Sequence, residues 1–204
     1  SQIIKIAYAP KGNSLISADA GGQVIEFDLA TLDIYRIVYN SDSNGSFAFD
    51  PSGSTLAIGT QDGYIDLFNM TDGENIQSID SGVDDAINAV VFTDAGQSLV
   101  SGGVGGIVEL WDVETGAALD SFEYPGVIAI NSLDFDPHSG FLAVGSDNRN
   151  VLLVALGENG NEFSAEVHLL SAHVGEIFDI DFSDDGKFLI SGGVDQTAIL
   201  WDTV

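Results

Sequence analysis

Between residues 171 and 202 the chain holds His173, Ser191 and Asp195, the residue types of a hydrolytic triad, followed closely by Trp201. A triad works only when the serine is exposed beside a cleft and an oxyanion site. Here Ser191 lies within "FLISG" (188–192), a short run of small and apolar residues that reads as a narrow strand. The same residue types also suit a polar brace inside a structural unit. Recurrence of the stretch elsewhere in the chain separates the two readings.

Other candidate chemistry is weaker. "DFSDDG" (181–186) begins like a calcium loop, with Asp181, Ser183 and Asp185 at alternate positions and Gly186 at the sixth. Such a loop needs a bidentate acid at the twelfth position, which here is Gly192, and Asp181 falls on a strand. A strand-to-strand turn explains the Asp-Gly pair better. "GGVGG" (102–106) lacks the lysine and helix of a phosphate cradle. His138 and His168 have no metal-ligand spacing and read as surface residues, and zero cysteines exclude disulfides and thiolate sites. No cofactor or metal is expected.

The elements that carry these residues repeat. Aromatic anchors at Tyr8, Phe49, Phe92, Phe135 and Phe182 are separated by 41, 43, 43 and 47 residues. A second series, Phe27, Phe68, Trp111, Val154 and Trp201, keeps the same four spacings. Two independent series in one register mark five repeats. Each repeat reads as four short strands with Gly-rich turns: "INAVVFT", then "SLVSG", then "VELWD", then "ALDSFEY" in the third. A four-stranded unit of this length is a propeller blade. The expected fold is therefore all-β, a β-propeller of five blades at about 1–40, 41–82, 83–125, 126–170 and 171–204, taken as one domain over 1–204.

"VELWD" (108–112), "AILWD" (198–202) and "SAH" (171–173) resemble the WD-repeat β-propeller family. The resemblance implies that His173, Ser191, Asp195 and Trp201 form a structural relay. It would tie the loop before a first strand to the turn between second and third strands. Other repeats keep only parts of it. The third has Ser101 and Trp111 with Val83 and Gly105 at the His and Asp positions. The second has Asp62 and Phe68 with Ile58 in place of Ser, the first Ser17 and Phe27 with Gly21, and the fourth Val154, Gly145 and Asn148.

The resemblance also implies a non-catalytic scaffold for protein–protein interaction within a complex. Its narrow-end surface would include Ser43, Gln61, Ala86, Asn88, Asn131, Asp147, Glu176 and Phe178, with Phe178 the aromatic anchor. An enzyme with a central-channel site would need inward-facing His, Arg or paired acids. The corresponding positions read Gln2, Ser43, Ala86, Ala129 and Glu176. A purely structural subunit is the third reading. The last repeat stops after its third strand, so Thr197–Asp202 is expected to be an open edge able to pair with another segment or chain. Five blades closing a small ring and a fragment of a seven-bladed ring both remain open. The stretch 155–173 in the fourth repeat is longer than its counterparts.

Net charge is −27, from 32 acidic against five basic residues. Such a surface repels phosphate, which argues against nucleic-acid or anionic-membrane partners. It suits a basic protein or peptide partner, or halophilic adaptation, and the acids are spread along the whole chain. Hydrophobic content of 45% rules out disorder. No apolar run is long enough to cross a membrane as a helix and no secretory signal pattern opens the sequence, so a cytoplasmic location is expected.

Overall fold

The computed structural model describes residues 2–40, 44–93, 96–124, 126–157 and 159–203. Among them every regular element is a β-strand, and the strands form five antiparallel meanders. The first sheet is β1 (Ile3–Tyr8), β2 (Ser14–Asp19), β3 (Gln23–Asp28) and β4 (Ile34–Asn40). The second is β5 (Asn44–Phe49), β6 (Thr55–Thr60), β7 (Tyr64–Asn69) and β8 (Asn75–Asp80). β9 (Ile87–Phe92), β10 (Ser98–Gly103), β11 (Ile107–Asp112) and β12 (Ala118–Glu123) make the third. The fourth is β13 (Ile130–Asp136), β14 (Phe141–Ser146), β15 (Asn150–Leu156) and β16 (Phe163–Ser171). The last has three strands, β17 (Ile177–Phe182), β18 (Phe188–Gly193) and β19 (Ala198–Asp202), with β19 at its edge. These are the five propeller blades expected from the repeat, the fifth without an outer strand.

The anchor residues close each blade around one leucine. Leu56 pairs with Phe49 on one side and Phe68 on the other; Leu142 pairs with Phe135 and Val154, and Leu189 with Phe182 and Trp201. Leu15 stands between Tyr8 and Phe27 in the same way. Leu56, Leu99, Leu142 and Leu189 are wholly buried. The second strands β6, β10 and β14 carry mostly small and apolar residues because both of their faces are covered: all six residues of β10 are buried. Fourth strands such as β12 alternate exposed and half-buried positions instead. The turn from first to second strand needs a left-handed residue, supplied by Gly140 and Gly186 at φ 74 and 67.

The chain divides into two compact units, residues 1–87 and 88–204. In the first, Ile16, Ala18 and Val24 pack with Phe47, Leu56, Ile58 and Phe68. In the second, the fourth sheet is buried on both faces. Leu142, Val144 and Val154 pack with Val100, Val108 and Leu110 of the third sheet. Ala143, Val151 and Leu153 pack with Ile177, Ile180 and Leu189 of the fifth. Leu142→Ala, which opens a cavity at the centre of a blade, is expected to cost about 2–5 kcal/mol in urea unfolding. Leu119→Ala on the exposed face of β12 is expected to cost less than about 1 kcal/mol.

Candidate functional site

The fifth blade brings His173, Ser191, Asp195 and Trp201 together. The indole Nε1 of Trp201 donates to Ser191 Oγ at 2.8 Å, and Ser191 Oγ lies 2.8 Å from His173 Nε2. His173 Nδ1 is 2.9 Å from Asp195 Oδ2. One proton arrangement satisfies every atom: the indole donates to the hydroxyl, the hydroxyl to Nε2, and Nδ1–H to the carboxylate. Asp195 also accepts the Val174 amide (2.9 Å), the Thr197 amide (3.0 Å) and the Thr197 hydroxyl (2.6 Å). The Thr197 hydroxyl foremost, with the two amides and the His173 ring, holds the Asp195 carboxyl well below the usual carboxylate range against the opposing effect of burial. Thr197 thus completes the relay, a role its position two residues after Asp195 signals in the sequence.

Hydroxyl–imidazole–carboxylate order and distances match a triad, but access does not. Ser191 is 0% exposed, the His173 side chain is fully buried, and the Trp201 indole occupies the serine oxygen. Fragments of the set recur with local partners. Trp111 Nε1 donates to Ser101 Oγ at 2.8 Å, Thr60 Oγ1 to Asp62 at 2.6 Å, and Ser146 Oγ to Asn148 at 3.0 Å. In the fourth blade strand register corrects one assignment: Val144, opposite Leu152 as Ser191 is opposite Ile199, holds the serine place, and Gly145 is one residue beyond it.

The residues assigned to a narrow-end surface have different fates. Ser43 lies outside the described residues. Gln61, Glu176 and Phe178 are exposed, Phe178 to 60%, while Ala86 is half-buried. Asp147 accepts the Ile128 amide at 3.1 Å. Asn88 and Asn131 are clamps: their Nδ2 groups donate to the main-chain oxygens of Ile130 (3.1 Å) and Ile177 (2.8 Å), each the first residue of the next sheet. Ser132 Oγ meets Asp179 Oδ1 at 3.2 Å, and Asp134 Oδ2 accepts the Phe182 amide at 2.6 Å. These clamps escape a sequence reading because their partners lie more than forty residues away, in the next sheet.

Asp185, the fifth position of the calcium-like stretch, is paired with Lys187 Nζ at 2.7 Å, the main reason its pKa is lowered to about 2. His138 is an exposed turn residue beside Asp136, and His168 is an exposed residue of β16. The long segment of the fourth blade folds against the third. The Phe163 amide donates to Asp120 Oδ2 at 2.8 Å, and its ring meets Phe122 edge-to-face at 4.8 Å. Between β12 and β16 this leaves an apolar groove of about 470 Å³, lined by Phe122, Leu152, Val154, Phe163 and Val167.

If the relay is a brace, Ser191→Ala strands both the Trp201 indole N–H and His173 Nε2 inside the blade. It is expected to cost about 2–4 kcal/mol in urea unfolding. Trp201→Phe leaves the Ser191–His173–Asp195 bonds intact and is expected to cost less than Ser191→Ala, as Phe27 and Phe68 at this position foreshadow.

A family model described as "Nucleolar protein 10-like, N-terminal domain", a β-propeller, matches residues 30–156, and the WD domain, G-beta repeat matches residues 164–202. The chain is 33% identical over 78 residues to chromatin assembly factor 1 subunit FAS2 homolog of Oryza sativa subsp. japonica, covering 37% of this chain and 15% of that protein. It is 30% identical over 92 residues to a chromatin assembly factor 1 component of Gallus gallus, covering 37% and 16%. Over 65 residues it is 40% identical to the human U3 small nucleolar RNA-associated protein 4 homolog, covering 30% and 9%. The aligned stretches thus span less than a fifth of these relatives. With repeat register, blade topology and family match in agreement, the chain belongs to the WD-repeat β-propeller family, in its nucleolar protein 10-like branch.

Proposed function

We propose that the chain is a non-catalytic scaffold that holds a protein partner within a larger assembly. The observation that carries this reading is the sealed state of Ser191. The His173–Ser191–Asp195 set, which has the types and order of a triad, is spent on its own fold, its serine oxygen capped by an indole and closed to solvent. No group of three or more His, Cys, Asp or Glu among the described residues could hold a metal. What is exposed suits recognition instead: Phe178 and Glu176 lie together at the start of β17, on a chain of net charge −27.

The partner surface is inferred to be basic, drawn in by the acidic field and anchored on Phe178. Phosphate backbones are disfavoured by the same field, so contact with any nucleic-acid-containing assembly would run through protein. The relatives are named for chromatin assembly and for association with small nucleolar RNA. We therefore infer a nuclear assembly as the setting, in place of the cytoplasm. No helix among the described residues is long and apolar enough to cross a membrane. The edge of β19 offers a second contact, by addition of a strand from another protein.

The test is a titration of Lys/Arg-rich peptides, each with one aromatic residue, at low and high salt. Glu176→Lys and Phe178→Ala are each expected to weaken binding by tenfold or more, and salt to weaken it further. Affinity unchanged by both substitutions would reject this surface as the contact.

A further inference from the structure

In the unit 88–204 the inner strands of adjacent blades meet closely. Ile130 Cγ2 lies 2.7 Å from where a Cβ on Gly102 would stand, and Ile177 Cγ2 lies 3.0 Å from that position on Gly145. The outer strands β12 and β16 of the third and fourth blades leave a groove instead. β12 lines it with the alternate residues Asp120, Phe122 and Tyr124. Opposite them, Val167 of β16 stands across from Val154 of β15, and Leu169 continues the same face across from Leu152. Leu152 and Val154 are buried, but Val167 and Leu169 are 50% and 56% exposed. An apolar wall thus faces water along the length of the groove.

Two polar groups point to what fills it. Tyr124 is 6% exposed, and its hydroxyl has no hydrogen-bond partner among the described residues. The Asn148 side chain is beside it, but Asn148 Oδ1 already accepts the Ser146 hydroxyl and the Asn150 amide. Burial pushes the Tyr124 hydroxyl up in pKa, so it stays protonated, a donor without an acceptor. An acceptor brought from outside would relieve that cost. Further along β12, Asp120 is half-buried. Its two oxygens accept the Ser121 and Phe163 amides, which leaves lone pairs to spare, and no Lys or Arg among the described residues pairs with it. Four residues of strand separate the two groups, about 13 Å. An extended segment, whose alternate side chains face one way, matches this row.

We propose that the β12–β16 groove holds an extended segment of a partner protein, with a Lys or Arg on Asp120, apolar side chains at alternate positions against Phe122 and Val167, and a carbonyl oxygen accepting from the Tyr124 hydroxyl. The cation is needed because a covered, unpaired carboxylate is costly, and because an acidic segment meets a chain of net charge −27. The site rests on the reading of the chain as a scaffold for a basic partner. It adds a further contact, on outer strands and apart from Phe178 of β17, so the two contacts fail separately.

The test titrates the whole chain with a panel of short labelled peptides, read by fluorescence anisotropy. Each carries two apolar residues at alternate positions and a Lys or Arg two positions before the first. Matched peptides carry Gln for the basic residue or Ser for the apolar pair. The parent peptides are expected to bind at least tenfold more tightly than either match. Val167→Glu, at an exposed position, is expected to weaken them at least tenfold, and Phe178→Ala to leave them unchanged. Tyr124→Phe removes the hydroxyl alone. It is expected to weaken binding about fivefold while leaving the urea unfolding midpoint unchanged or higher. A midpoint lowered by Tyr124→Phe would mean that the fold already matches the hydroxyl, and would overturn the proposal. So would equal binding of the Gln or Ser peptides, or no binding by any member of the panel. Binding lost with Phe178→Ala but untouched by Val167→Glu would assign the peptides to the β17 surface, rejecting the groove and keeping the scaffold reading. Self-association of the chain that Val167→Glu abolishes would put a second copy in the groove and overturn the proposal as well. Should Val167→Glu fail to fold, Tyr124→Phe and the matched peptides decide.

Discussion

A four-stranded sheet with apolar side chains on both faces cannot be stable by itself, and most of what this chain does locally follows from that. The second strands β6, β10 and β14 are buried on both sides, so they are built mostly from small and aliphatic residues that fit between layers. In the second, fourth and fifth blades one wholly buried leucine sits between two anchor residues. Where layers meet in the unit 88–204, contact is close enough that glycine is required at Gly102 and Gly145. Side chains from one first strand reach the backbone of the next, through Asn88, Asn131 and Asp134. Packing and hydrogen bonding therefore act at the same junctions, and loosening one exposes the other to water.

The relay answers a different need. β19 lies at the edge of the described fifth sheet, and the turn leading into it is tied back to the blade by side-chain bonds. Trp201, Ser191, His173 and Asp195 run from that strand through the blade to the loop before β17, with Thr197 and the Val174 amide completing the carboxylate's partners. A buried network of this kind stabilises only when every member is matched. The other blades let it shrink to a pair, such as Trp111 with Ser101, or replace it by apolar contact. In the fifth blade the His173, Ser191 and Asp195 side chains are matched to one another and to Trp201 within the fold.

The repeat was legible in the sequence because it is periodic: the anchors from Tyr8 to Phe182 and from Phe27 to Trp201 fall where the strands require them. The relay residues could be placed through family resemblance, and strand register then moved the fourth-blade equivalent of Ser191 from Gly145 to Val144. The leucine between the anchors was present in every quoted second strand, yet its pairing to both neighbours depends on register. Asn88 and Asn131 look like surface residues in one dimension because their acceptors are carbonyls of the following blade. The long segment at 155–173 gives no local sign that Phe163 will settle on Phe122 and Asp120. Local pattern specifies strands and turns; contacts between sheets depend on side-chain direction across more than forty residues.

The claim that blades are joined by isoleucines seated over glycines is tested most directly by a double-mutant cycle on Gly102→Ala and Ile130→Ala, followed by urea unfolding. Each change alone should destabilise, the first by collision and the second by a cavity. Together they should cost less than the sum, with a coupling of about 1 kcal/mol or more. Strict additivity would mean that the two residues do not share a junction, and the account of how these blades hold together would be wrong.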